Sequence, residues 1–182
     1  MILTVRNLCK SYGNRRVADR VSFDVPPGSV IGLLGKNGAG KTTTFRMTMG
    51  MIRSDQGQVF FNGEEISALP MYQRARKGMG YLPQESSVFR GLTVRQNLLA
   101  ILETRPLSEP EQLERLEELI QEFGLTRVVD SKGEVLSGGE KRRLEVARAL
   151  ISDPSLILLD EPFSGVDPIA VADLQKVIRY LS

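Results

Sequence analysis

Apolar and polar residues alternate in two stretches near the N-terminus, a pattern typical of half-buried β-strands. Residues 2–8 alternate imperfectly, whereas residues 21–25 alternate cleanly and are followed by the turn residues 26–28, Pro-Pro-Gly. The segment 10–13 between them is predicted to be a loop that carries an aromatic ring, Tyr12. Taken alone, such a ring is more often surface or core filler than a ligand contact.

Two further runs, residues 58–61 and 79–82, have strand character and are separated by the polar, basic segment 71–77. The second run leads through a proline into Gln84, which is predicted to lie in a loop. Its amide is either solvated or placed to ligate Mg²⁺ or hold a water. Residues 85–102 mix apolar and polar side chains, which fits either core packing or a hydrophobic docking surface.

The clearest helix is predicted over residues 108–124, and we interpret it as a packing helix with a solvated acidic face. Ser108 and Glu111 have capping-box spacing, and Gly124 is a C-terminal stop. Its apolar stripe consists of Leu113, Leu116, Ile120 and Phe123.

A further helix is predicted after residues 136–140, which read LSGGE. The apolar residues at helical spacing are Leu144, Ala147 and Ile151. We expect the basic run 141–143 to be a solvated face of this helix. Its N-terminus, led by Ser137, Gly138 and Gly139, fits either an anion site or a plain serine cap.

Residues 35–42 read GKNGAGKT and fit the phosphate-binding pattern G-x-x-x-x-G-K-[ST] at every fixed position. The apolar run 30–34 before it predicts a strand, and residues 43–50 after it have helical composition with Gly50 as a stop. In such a loop, glycines turn backbone N–H groups toward phosphate oxygens, Lys41 meets the β/γ-phosphates, and the Thr42 hydroxyl ligates Mg²⁺. The correct flanks favour this interpretation over a chance glycine-rich turn.

An apolar strand is predicted over residues 156–159, ending abruptly in Asp160 and Glu161. A fully apolar strand is typical of the interior of a parallel sheet, so its polar tip is expected at the carboxyl edge, where ligands bind. Asp160 can hold Mg²⁺ through water, and Glu161 can take a proton from an attacking water as general base. The alternative is a pair of acids in a surface loop.

The composition argues against several kinds of partner and structural site. The net charge of +2, from 24 basic and 22 acidic residues among 182, gives no case for a nucleic-acid partner. The single cysteine, Cys9, excludes an intrachain disulfide, and the lack of any histidine argues against a structural zinc site. No signal-peptide layout or long apolar run is present, so we expect a cytosolic protein that contacts the membrane only through partners.

The motifs GKNGAGKTT, YLPQ, LSGGE and LILLDEP occur in that order and resemble those of the nucleotide-binding domain of ABC transporters. The resemblance covers residues 1 to about 173. It implies an α/β fold, namely a P-loop NTPase (RecA-like) core with an N-terminal antiparallel β subdomain and a helical signature subdomain. The core and β subdomain would comprise residues 1–84 and 154–182, and the helical subdomain residues 85–153.

The resemblance also implies a role for each matching residue, with ATP and Mg²⁺ as cofactors. Catalysis would fall to Glu161, Lys41 and Gln84. Nucleotide contacts would come from Tyr12 stacking on adenine, from Gly35, Lys36, Asn37, Gly38, Ala39, Gly40, Lys41, Thr42 and Thr43 in the loop, and from Ser137, Gly138 and Gly139. The metal ligands would be Thr42, Gln84 and Asp160.

One chain offers two phosphate-binding helix termini, whereas a single ATP needs only one. Two copies related by a twofold axis would place Lys41 of one and Ser137 of the other on the same γ-phosphate. The family therefore implies a homodimer closed by ATP, with a contact loop at residues 164–167, beneath two integral membrane subunits on the cytoplasmic face of the inner membrane.

Within the family, residues 81–100 and 160–168 are similar to the ATPase of lipopolysaccharide export, with branched-chain amino-acid importers next. Lys36 departs from a usual proline at a variable loop position. Gly91 departs from a usual basic residue in the expected partner groove. A soluble ABC protein outside transport is the alternative, but residues 42–137 contain neither a second such domain nor a long coiled coil.

The family places a switch histidine after the catalytic glutamate, whereas this chain has none and ends in a predicted helix over residues 169–181. An open end in mid-fold would leave sheet edge and apolar surface uncovered. We therefore favour a fragment that lacks the C-terminal part of the core over a naturally short, degenerate protein, and we expect it to bind ATP weakly and hydrolyse it poorly.

Overall fold

The computed structural model describes residues 1–161, which fall into two compact units, residues 1–79 and 80–161. The described strands are β1 (Leu3–Tyr12), β2 (Arg15–Val25), β3 (Gln56–Phe61), β4 (Glu64–Glu65), β5 (Met79–Leu82) and β6 (Leu156–Leu159). The described helices are α1 (Lys41–Thr48), α2 (Met71–Arg76), α3 (Val94–Leu102), α4 (Glu109–Glu122) and α5 (Gly138–Leu150), with a 3-10 turn at Thr126–Val128. The predicted contact loop and C-terminal helix lie outside the described residues.

The first unit contains an antiparallel sheet in the order β2-β1-β3-β4. Leu3, Val5 and Leu8 of β1 are fully buried, and the register shifts between Val5 and Leu8, where Asn7 has a φ of 49°. This bulge explains why residues 2–8 alternate imperfectly, because an extra residue moves the later side chains to the other face. The predicted antiparallel β subdomain and the α/β class are confirmed.

The predicted loop over residues 10–13 is wrong for its first three residues. Lys10, Ser11 and Tyr12 continue β1, and Tyr12 pairs with Arg15 of β2 across a two-residue turn. Residues 71–77, which gave no clear pattern, contain α2.

The strand predicted over residues 30–34 is also not formed. This segment has no regular structure, and Val30 and Leu34 are 74% and 93% exposed. A strand forms only where a neighbour supplies backbone hydrogen bonds, and none of the described strands pairs with this segment. The helix predicted after the loop is confirmed as α1, and Gly50 follows it with a φ of 72°.

The second unit contains the two-stranded sheet β5-β6 and helices α3, α4 and α5. Asp160 N–H donates to Leu82 O over 3.0 Å, so the carboxyl ends of both strands lie side by side. The two strands therefore run in the same direction, as the apolar pattern of β6 predicted.

The helices of this unit agree with most of the predicted apolar pattern. Ser108 begins α4 with the predicted capping box, and the stripe residues are buried except Leu113, which is 48% exposed. The buried side chains of residues 85–102 include Val88, Val94, Leu98 and Leu102, whereas Phe89 is 45% exposed. The helical part of the segment therefore contributes to the core, whereas residues 85–91 are mostly exposed. No helix within residues 1–161 has the length and apolar character needed to span a bilayer.

Candidate functional site

The phosphate loop, residues 35–42, turns into α1 at Gly40, whose φ is 87°. A Cβ at this position would lie 2.1 Å from Val17 O, so only glycine allows the loop to pass this close to β2. Gly40 supplies no side-chain cap to the helix. The start of α1 thus has the form of an anion site, with backbone N–H groups at the positive end of the helix dipole.

Lys41 lies across the loop. Its Nζ donates to Gly35 O over 2.8 Å and to Lys36 O over 3.2 Å. These carbonyl contacts hold the ammonium group within the loop, where phosphate oxygens would be its natural partners. The other predicted loop residues Lys36, Asn37, Gly38 and Ala39 are exposed, and Thr42 and Thr43 are half-buried in the first turn of α1.

Tyr12 is in the same unit, at the end of β1, with its ring 55% exposed. Lys10 Nζ lies 5.8 Å from the ring centroid and 2.7 Å from the Asp55 carboxylate. An exposed flat ring held beside a cation can stack on a planar ligand.

In the second unit, the structure brings the predicted acids and the glutamine to one sheet edge. Gln84 follows β5 and is exposed, and Asp160 and Glu161 follow β6. Asp160 is 1% exposed and accepts a hydrogen bond from Tyr81 O–H over 3.2 Å. Glu161 is half-buried with a φ of 45°, a backbone conformation that non-glycine residues rarely adopt.

The start of α5 is capped by a side chain. Ser137 Oγ accepts from Glu140 N over 3.3 Å, and Glu140 Oε2 accepts from Ser137 N and Oγ over 2.8 and 2.7 Å. The serine-cap alternative for LSGGE is therefore present in the structure. Ser137 and Gly138 are exposed, so the same helix start is open to solvent.

Sequence reasoning missed a set of side chains on α5 that hold the segment on both sides of Gln84. Arg142 Nη1 donates to Pro83 O over 3.4 Å, and Glu145 Oε1 accepts from Ser87 N over 3.1 Å. The Arg148 guanidinium lies 4.4 Å from the Phe89 ring centroid. The interpretation of residues 141–143 as a solvated face is wrong for Arg142, whose side chain is 13% exposed. The spacing of three residues along α5 was the available signal.

A second missed residue is Asn97, which is fully buried in α3. Its Oδ1 accepts from Phe89 N over 2.9 Å, and its Nδ2 donates to Phe89 O, Leu92 O and Thr93 O. This amide fixes the turn that contains Gly91, in the expected partner groove. A polar residue between Val94 and Leu98, at helical spacing from the former and adjacent to the latter, was the available signal.

The predicted magnesium ligands fit that ion by donor type. A hydroxyl from Thr42, an amide oxygen from Gln84 and a carboxylate from Asp160 are the hard oxygen donors that Mg²⁺ prefers. Asp160 and Gln84 leave neighbouring strands of the second unit, and Thr42 belongs to the first.

Comparison with known proteins adds to this geometry. The family model described as ABC transporter matches residues 18–164. The lipopolysaccharide export system ATP-binding protein LptB of Haemophilus influenzae is 56% identical over 181 residues, covering 99% of this chain and 75% of that protein. LptB of Escherichia coli K12 is 52% identical over 180 residues, covering 98% of this chain and 75% of that protein.

Solved structures agree in fold. An ATP-binding cassette of an ABC transporter matches with a TM-score of 0.87 at 29% identity, covering 99% of this chain and 76% of its own. A nucleotide-free ATP-binding cassette matches with a TM-score of 0.83 at 30% identity, covering 98% of this chain and 76% of its own.

Proposed function

The chain belongs to the ABC transporter family, and from this membership we propose that it is the ATP-hydrolysing subunit of a lipopolysaccharide exporter. Members of the family bind ATP. The two LptB relatives, at 56% and 52% identity over nearly the whole chain, support lipopolysaccharide as the transported substrate. The chain would work on the cytoplasmic face of the inner membrane, bound to two integral membrane subunits.

The observation that carries the proposal is the phosphate loop of the first unit. Gly40 passes too close to Val17 O for any side chain, and Lys41 is held across the loop by Gly35 O and Lys36 O. Both features fit a bound phosphate, because they keep the loop backbone free of side chains at Gly40 and keep an ammonium group beside it. We assign the adenine contact to Tyr12 and the β/γ-phosphate contacts to Lys41 and the loop N–H groups.

In the second unit, we assign the general base to Glu161, which would accept the proton of the attacking water. Thr42, Gln84 and Asp160 would hold Mg²⁺, which neutralises phosphate charge when bound. The signature residues Ser137, Gly138 and Gly139 would contact the ATP of a second copy. Hydrolysis would remove this bridge and let the dimer open, which is how the reaction would move the membrane subunits.

Replacing Glu161 by Gln tests the catalytic assignment. The variant should bind ATP with unchanged affinity, accumulate as an ATP-bound dimer in analytical ultracentrifugation, and lose turnover by about 100-fold or more. Unchanged turnover would remove Glu161 from the mechanism.

Reconstitution tests the substrate. The chain should co-purify with integral membrane subunits from detergent extracts, and lipopolysaccharide in proteoliposomes should raise its ATP turnover. Stimulation by branched-chain amino acids instead would place it in an importer. Failure to associate with any membrane subunit would favour a soluble role.

A further inference from the structure

Arg74 is a buried cation to which the proposed mechanism gives no role. It lies in α2, and its side chain is 2% exposed. None of the ion pairs found within residues 1–161 includes it. A buried charge without a carboxylate partner is costly unless hydrogen bonds replace its hydration.

Those hydrogen bonds go to four backbone carbonyls. Arg74 Nε donates to Leu69 O over 2.8 Å, and Nη2 donates to Ser67 O over 2.8 Å. Nη1 donates to Met47 O over 3.0 Å and to Thr48 O over 2.7 Å. The planar fork of the guanidinium thus joins the loop before α2 to the end of another helix.

That other helix is α1, and Met47 and Thr48 are its last two residues. The final carbonyls of a helix lack donors within the helix and carry the negative end of its dipole, so a cation placed there stabilises the helix end. Gly50 leaves room for the contact, because a Cβ at that position would lie 2.7 Å from Arg74 Nε and 2.8 Å from Leu69 O.

The opposite end of α1 begins at Lys41 and carries the phosphate loop. With 1.5 Å of rise per residue, the two ends are about 12 Å apart. A helix of this length is stiff, so an anchor at its C-terminal end also restricts its N-terminal end. The Gly40 contact with β2 holds one end of α1, and Arg74 holds the other.

We propose that Arg74 is a positioning residue for ATP binding, which fixes α1 at its C-terminal end and thereby holds the phosphate loop in its binding geometry. The inference rests on the proposed function. Lysine cannot replace it, since an ammonium has three donors in a compact group and cannot reach four carbonyls with a planar fork.

The test compares Arg74→Met, which keeps the stem without the fork, with Arg74→Lys, which keeps the charge. Arg76→Met is the matched control, because Arg76 lies on the same helix but is exposed, with its guanidinium 5.6 Å from the Tyr72 ring centroid. The Kd for ATP is measured at a temperature at which circular dichroism finds each variant folded. Amide hydrogen exchange is measured without nucleotide.

Both Arg74 variants should bind ATP about tenfold more weakly or worse, and Arg76→Met should stay within about twofold of the wild type. Exchange should become faster in residues 47–48 and also in the loop 35–40. Wild-type ATP affinity in a folded Arg74 variant, or faster exchange confined to residues 47–48, would overturn the proposal. If Arg74→Met does not fold, Arg74→Lys decides by the same two outcomes.

The two proposals fail in different ways. A wild-type chain that binds no ATP contradicts the proposed function. The exchange measurement needs no nucleotide, so it still decides whether Arg74 holds the loop through α1.

Discussion

The helix starts of α1 and α5 both carry glycine-rich motifs, yet they are built in different ways. Gly40 begins α1 in a left-handed conformation, offers no capping oxygen and is fixed against β2. Ser137 begins α5 with a complete capping box, and a Cβ at Gly138 would meet nothing within 4 Å. The conformation of the first start is set by the backbone around it. The second is a satisfied helix start on an open surface, where a ligand must compete with Glu140 for the Ser137 side chain.

The difference fits the two proposed roles. The phosphate loop would keep its own ATP through much of the cycle, so a preformed geometry is useful. The signature would meet ATP only when a second copy docks, so the helix needs its own cap in the meantime.

Alanine substitutions at Gly40 and Gly138 should have different effects on stability. Gly40→Ala forces a Cβ against Val17 O in a left-handed conformation and should lower the free energy of unfolding by about 2–4 kcal/mol. Gly138→Ala should change it by no more than about 1 kcal/mol, in the stabilising direction, because the position is open and helical. Denaturant unfolding monitored by circular dichroism measures both, and equal losses would contradict the contrast.

Removing the serine cap of α5 should lower the free energy of unfolding less than Gly40→Ala does. Ser137→Ala deletes the side chain that bonds Glu140 and should lower the free energy of unfolding by about 1 kcal/mol. Ser108→Ala is the matched control, because Glu111 Oε2 accepts from Ser108 N and Oγ at α4, as Glu140 Oε2 does from Ser137 at α5. Both variants should lose similar stability, but only Ser137→Ala should weaken ATP-dependent dimer formation. An equal effect of both on the dimer would leave Ser137 as a cap alone.

The smallest expected effect is on the free energy of unfolding at low pH. The hydrogen bonds from the Ser137 hydroxyl and backbone N–H lower the pKa of Glu140 below its usual value of 4.5. A depressed folded-state pKa means that the ionised carboxylate stabilises the fold above about pH 4.5 and that this contribution is lost as pH falls through the folded-state pKa. The stability difference between wild type and Glu140→Gln should therefore shrink below about pH 4.5, as urea unfolding at several pH values would measure. A difference constant with pH would contradict this.

The features that the sequence predicted are those whose causes are local. The phosphate loop, the Ser108 capping box and the helix stop at Gly50 each depend on residues a few positions apart. The identity of Asp160 as the polar tip of an apolar strand was also predictable, since the pattern changes within two residues.

What the sequence did not predict depends on distant partners. The apolar run 30–34 has strand composition, but a strand requires a neighbour that local pattern cannot name. Tyr81 donates to Asp160 from 79 positions away, and Arg74 reaches Thr48 from 26 positions away. Neither contact produces a residue spacing that can be recognised in a single sequence.

If the two helix starts meet on one ATP through two copies of the chain, mixing two complementary variants should restore a dimer that neither forms alone. Lys41→Ala removes the phosphate contact of one helix start, and Ser137→Arg blocks the other. Analytical ultracentrifugation with ATP should find no dimer of either variant alone. An equal mixture should form a heterodimer, because it has one intact site built from Ser137 of the first variant and Lys41 of the second. A mixture that stays as monomeric as its two components would contradict the account.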